Sequence, residues 1–109
     1  MRFWRDRTVV VTGGCGFVGS FLTEFLLAAG ARVRVADLQP EGCRRFLAHC
    51  RDDFDYVHGD LRDPAFARRA VAGSDIVMHL AAVVGGVGYN IAHAADLLYD
   101  NSLMALQIM

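Results

Sequence analysis

Lysine is absent from this chain of 109 residues; all eleven basic side chains are arginine. No step that needs a lysine side chain can be carried by these residues. Net charge is also close to nothing, at −1, which removes any reason to expect a nucleic acid or an acidic membrane surface as partner. Cysteines number three (Cys15, Cys43, Cys50), and their odd count and wide spacing fit free thiols in a reducing compartment. Neither they nor the four histidines (His49, His58, His79, His93) follow a metal-ligand spacing, so no metal site is expected. No apolar run approaches the ~18 residues of a membrane span. The basic start, Met1 to Arg7, followed by apolar Thr8–Thr12, imitates a secretory leader. Gly13-Gly14 breaks that run too early and no small-residue cleavage site follows, so a soluble, cytoplasmic protein is expected. Internal repeats and low-complexity tracts are missing as well.

Apolar residues make up 54% of the chain, enough for one small domain with its own core. Thr8–Thr12 reads as a strand buried on both faces, because it is continuously apolar and β-branched. Phe17–Ala29 reads as a helix, with Phe21, Leu22, Phe25 and Leu26 striping one side and Gly30 as its stop. Arg32–Asp37 is a second strand, Glu41–Cys50 a helix with Phe46 and Leu47 on its apolar face, and Phe54–His58 a third strand. A helix opens at Pro64, with Asp63 as N-cap, and runs to about Ala72. Ile76–Leu80 is the fourth strand. Residues 83–95 are irregular and glycine-rich, and a last helix begins near Ala94–Asp96. Strands alternating with helices predict an α/β fold, a Rossmann-like doubly wound parallel sheet of about four strands.

The chemistry concentrates at the carboxyl ends of these strands. Gly13, Gly16 and Gly19 recur every third residue where the first strand turns into a helix. Glycine there lets backbone N–H groups approach a diphosphate, and the helix N-terminus favours its charge. Cys15 reads as a small neutral filler in that loop, or else as a reactive thiol at a helix N-terminus. Asp37 ends the second strand, 18 residues after Gly19. A carboxylate there accepts from both ribose hydroxyls of an adenosine and repels a 2′-phosphate, which selects NAD over NADP. Asp60 ends the third strand within reach of an adenine amino group. Leu80-Ala81-Ala82 ends the fourth, small enough for backbone to pass close to ribose and diphosphate. His79, inside an apolar strand, reads as a hydrogen-bonded core histidine.

Taken together, Thr12 to Ser20, Asp37, Gly59-Asp60-Leu61-Arg62-Asp63, His79-Leu80-Ala81-Ala82 and Tyr99-Asp100-Asn101 resemble the extended short-chain dehydrogenase/reductases. The closest likeness is to the NAD-dependent epimerase/dehydratase group that acts on nucleotide sugars. The resemblance implies that Phe17 and Val18 lie on the diphosphate and that Asp60 and Leu61 flank the adenine. It implies that Leu80, Ala81 and Ala82 line the ribose and nicotinamide, and that Asn101 reaches toward the cofactor. The run from Val84 to Tyr89 looks like the sugar-side loop of GDP-mannose 3,5-epimerases and GDP-fucose synthases, with Gly85, Gly86 and Gly88 bordering a nucleotide-sugar substrate. In that group the last helix helps to form a homodimer.

The family's Tyr-x-x-x-Lys pair cannot exist in a chain without lysine, so no catalytic residue is assigned. Its place lies beyond Met109, after a fifth strand. The expectation is therefore residues 1–109 as a partial NAD-binding domain, an N-terminal fragment without the later strands and the sugar-binding part. An open edge on the fourth strand and a surplus of apolar surface on the last helix predict self-association or marginal stability. Two other readings stay open: a non-catalytic dinucleotide-binding or sensor module, and, against the glycine spacing, a methyltransferase using S-adenosylmethionine.

Overall fold

A computed structural model describes residues 2–39, 44–82 and 87–109. Among these, four strands form one sheet: β1 (Thr8–Thr12), β2 (Arg32–Asp37), β3 (Asp55–His58) and β4 (Ile76–His79), in the order β3-β2-β1-β4. Every pairing is parallel, with Thr12 level with Ala36 on one side and with His79 on the other. The central place of β1 explains its composition. Val9 and Val11 face one hydrophobic cluster and Val10 the other, and all three are fully buried. A strand covered on both faces needs an unbroken apolar run rather than an alternating one.

Helix α1 (Phe17–Ala28) covers the first face, followed in sequence beyond β2 by the short helix α2 (Arg44–Leu47) and a 3-10 turn over Ala48–Asp53. Helices α3 (Pro64–Val71) and α5 (Ala94–Ile108) cover the second, and α4 (Val87–Ala92) precedes α5. Asp63 caps α3 as expected, accepting from the Ala65 N–H at 3.0 Å. Arg34 closes the other end of that helix, donating to the carbonyls of Ala70 and Ala72 at 2.8 and 2.9 Å. A cation on the last carbonyls suits the helix dipole.

Three expectations are corrected. The stripe on α1 splits: Leu26 is buried, but Phe21 and Phe25 are 62% and 47% exposed. The inward face is instead Gly19, Ser20, Thr23 and Leu26, because the glycine turn presses on the start of the helix and admits only small side chains there, while Leu26 further along reaches the core. The helix expected over Glu41–Cys50 narrows to Arg44–Leu47 and tightens into the 3-10 turn, whose regularity breaks at Cys50; residues 41–43 lie outside the described ones. Finally, Val87–Ala92 is helical although it falls in the stretch expected to be irregular. Its glycine at 88 obscured the signal. No described helix is long and apolar enough to cross a membrane.

Candidate functional site

The sheet reverses its order at β1: β2 and β3 lie to one side of it and β4 to the other. In open parallel sheets such a reversal opens a crevice at the carboxyl ends of the strands. A cavity of about 410 Å³ lies there, lined among others by Gly13, Gly16, Asp37, Asp60, Leu61 and Leu80. That is a ligand-sized volume.

The turn after β1 is built for close approach. Gly13 has a φ of +70°, and a Cβ on it would meet the Ala81 backbone at 2.9 Å, so the glycine turn and the segment after β4 touch. A Cβ on Gly19 would lie 2.2 Å from the Gly13 carbonyl oxygen. Gly16 is the N-cap of α1 and offers no side chain to the first-turn amides. Those amides, on Phe17 and Val18, are thereby left for an anion.

Asp37 holds this turn from the side. One oxygen accepts from the Cys15 N–H at 3.0 Å; the other accepts from the amides of Leu38 and Gln39 at 2.7 and 3.2 Å. A carboxylate offers about four acceptor sites, so one remains for a ligand hydroxyl without displacing an amide. The segment after β2 is pinned further by Tyr56, whose hydroxyl donates to the Gln39 carbonyl. Burial and then the Asp37 charge push the Tyr56 phenol up to about 12.

On the far wall, Arg62 donates to both oxygens of Asp60, from Nε at 3.0 and 3.1 Å and from Nη2 at 2.7 Å. Its Nη1 reaches Asp100 on α5 at 3.2 Å. The hydrogen bond from Arg62 holds the Asp60 carboxyl below the usual carboxylate range. Gln107 adds a second tie from α5, donating to the Leu61 carbonyl at 2.6 Å. Between the walls, the Thr12 hydroxyl accepts from the amides of Leu80 and Ala81 at 3.0 and 3.2 Å and lies 2.7 Å from Nδ1 of His79. Burial lowers the His79 pKa, which favours the neutral ring; it is hydrogen-bonded as the sequence suggests, but half-buried rather than in the core.

Of the residues expected at a cofactor, Gly13, Gly16, Asp37, Asp60, Leu61, Leu80, Ala81 and Ala82 all line the cavity. Four do not. Gly19 is buried within the turn, while Phe17 and Val18 are 65% and 64% exposed and turn their side chains outward. The Phe17 ring packs edge-on to Phe21 and Phe46. Asn101 sits on α5, one turn before Met104, which does line the cavity. Gly85 and Gly86 lie outside the described residues, and Gly88 lies within α4. Thr12 and Arg62 were missed as organisers; their partners, His79 and Asp100, are 67 and 38 residues away, and no local pattern announces such pairs. Cys15 is disulfide-bonded while Cys50 is a free thiol, which corrects the expectation of three unpaired thiols. Spacing along a chain does not tell which sulfurs a fold brings to bonding distance.

Parallel strands, a glycine turn at the sheet's reversal and acidic residues at the next two strand ends define an α/β domain of the Rossmann-like class. Residues 9–109 match the model of the NAD dependent epimerase/dehydratase family, and the chain belongs to that family. It is 39% identical over 77 residues to the dTDP-glucose 4,6-dehydratase of Mycolicibacterium smegmatis, covering 68% of this chain and 23% of that one. It is 36% identical over 80 residues to a 3 beta-hydroxysteroid dehydrogenase/Delta 5-->4-isomerase of Mycobacterium tuberculosis, covering 73% and 20%. Among solved structures it resembles the UDP-N-acetylglucosamine 4-epimerase of Methanobrevibacter ruminantium, which was determined with UDP-N-acetylmuramic acid. The TM-score is 0.77 at 28% identity over 95% of this chain and 33% of that one. The chain thus spans about a fifth to a third of the length of these relatives.

Proposed function

We propose that this chain is the NAD-binding portion of a nucleotide-sugar epimerase or dehydratase. One observation carries the reading: four strand ends bring eight of the expected residues around one cleft. Gly13 and Gly16 give backbone access to a diphosphate, and the first-turn amides of α1 hold its charge. Asp37 accepts from a ribose hydroxyl and excludes a 2′-phosphate. Asp60 and Leu61 flank the adenine, and Leu80, Ala81 and Ala82 leave room for the second ribose. Bound NAD supplies a hydride acceptor for transient oxidation of a sugar carbon. These residues hold no lysine, so they carry no Tyr-x-x-x-Lys proton-transfer pair. Gly85, Gly86 and Gly88 border the sugar, the narrow activity is GDP-mannose 3,5-epimerase-like, and α5 pairs with a second copy in a homodimer.

The test is calorimetry with NAD and NADP. Micromolar NAD binding, with NADP at least about tenfold weaker, is expected from the Asp37 carboxylate. Equal affinity for both, or no loss of NAD binding on Asp37→Ala, would overturn the reading. Turnover of a GDP-hexose by the gene product that carries this chain would support the narrow activity. Turnover of a 3β-hydroxysteroid instead would replace it. A second reading, a non-catalytic dinucleotide-binding module, is favoured by the missing lysine. A reading frame that continues past Met109 into a Tyr-x-x-x-Lys pair would exclude it.

A further inference from the structure

Away from the cleft, three side chains with different donor atoms converge beside α1. Glu24 projects from that helix, and His49 and Cys50 come from the 3-10 turn before β3. A carboxylate oxygen, an imidazole nitrogen and the sulfur all lie within 4.8 Å of one another. His49 Nε2 is already paired with Glu24 Oε1. Cys50 is a free, half-buried thiol, and none of the three lines the cleft.

We propose that Glu24, His49 and Cys50 form a zinc-binding site that cross-links α1 to the turn before β3. One oxygen, one nitrogen and one sulfur donor form a borderline-soft set, which suits Zn²⁺ and disfavours Mg²⁺ and Ca²⁺. Tetrahedral bonds of the usual lengths put donor atoms about 3.3–3.8 Å apart. Side-chain rotation of roughly 1 Å achieves this where His49 is exposed and Glu24 only half-buried. Sequence spacing conceals the set, because Glu24 stands 25 residues before His49.

Titration of the protein with Co²⁺ and Zn²⁺, under argon and without a thiol reductant, tests this. One equivalent of Co²⁺ should bind with a thiolate charge-transfer band in the near ultraviolet and intense tetrahedral visible bands. Zn²⁺ should displace it and raise the melting temperature. Cys50→Ser should abolish the charge-transfer band, and His49→Gln and Glu24→Gln should each weaken binding at least about 100-fold, more than loss of an outer-shell partner. NAD affinity should stay the same in all three variants. Exposed His49 and half-buried Glu24 keep the test valid if Cys50→Ser folds poorly. Absence of stoichiometric binding, or cobalt spectra unchanged in His49→Gln and Glu24→Gln, would overturn the proposal. The latter would leave an ordinary Glu24–His49 pair with Cys50 as bystander.

Discussion

Thr12 shows how much one hydroxyl can organise. It accepts from two amides after β4 and stands against Nδ1 of His79. With both amides donating to it, its own proton goes to Nδ1, which puts the ring proton on Nε2 and requires the neutral imidazole. Thr12→Val keeps the shape but strands the Ala81 amide, while the Leu80 amide keeps the Thr12 carbonyl as its acceptor at 3.1 Å. We expect a loss of about 1–3 kcal/mol in urea unfolding. His79 also brings a pH dependence. Burial holds the folded pKa of His79 below its ordinary 6.5, so the unfolded chain binds the proton more readily. The contribution is therefore complete above pH 6.5 and is lost as the pH falls through the folded value. Melting temperature should drop across that window, and His79→Gln should flatten the drop. At Asp37, Asp37→Ala removes an acceptor from three amides as well as from any ribose. A charged hydrogen bond contributes about 1.5–3 kcal/mol, so NAD affinity should fall roughly 10–100-fold by calorimetry. Single residues were legible in proportion to how local their partners are. Asp63 caps a helix two residues on and was read directly. The companions of Thr12 and Arg62 lie tens of residues away and were not.

Among the elements, β1 and β2 were readable to the residue: β1 is an unbroken apolar run because it is buried on both faces, and β2 alternates Val33 and Val35 with Arg32 and Arg34 before Asp37 ends it. Helix α1 was readable in extent but not in orientation. Its periodicity marks one stripe through Phe21 and Phe25, but the space above the glycine turn admits the smaller face of Gly19, Ser20 and Thr23 instead. Gly19→Ala tests that decision, since the added carbon would sit 2.2 Å from the Gly13 oxygen. Forcing it in should cost about 1–3 kcal/mol and weaken dinucleotide binding, read by thermal melts and calorimetry together. The tie between the β3–α3 turn and α5 predicts a different balance. Arg62 and Asp60 are 39% and 37% exposed, so Arg62→Gln should change stability by no more than about 1 kcal/mol. Because Asp60 then loses its fixed orientation, NAD affinity should suffer more than the melting temperature does. Equal losses in both would mark Arg62 as merely structural.

At the scale of the whole molecule, the doubly wound order and the position of the cleft were legible, because alternating strands and helices leave few right-handed ways to close a parallel sheet. What the surface of α5 does was legible only as a surplus. Leu98, Tyr99, Leu106 and Met109 are 71%, 68%, 68% and 97% exposed, and Met104 is the helix's single buried residue. A second copy over this face would lower that exposure. Sedimentation velocity should show concentration-dependent association, and Leu98→Glu with Leu106→Glu should shift it toward the monomer. The parallel topology also sets a timetable. β1 meets β2 after a single helix, but its other edge waits for β4, 67 residues downstream at the Thr12–His79 pair. Pairing at such separation comes late, since the intervening loop entropy must be surrendered first. On a ribosome the first three strands emerge while the return strand is still in the exit tunnel. A nascent chain halted before residue 76 would hold half a cradle, and nucleotide recruitment would begin only once Leu80 to Ala82 had cleared the tunnel and closed against the glycine turn.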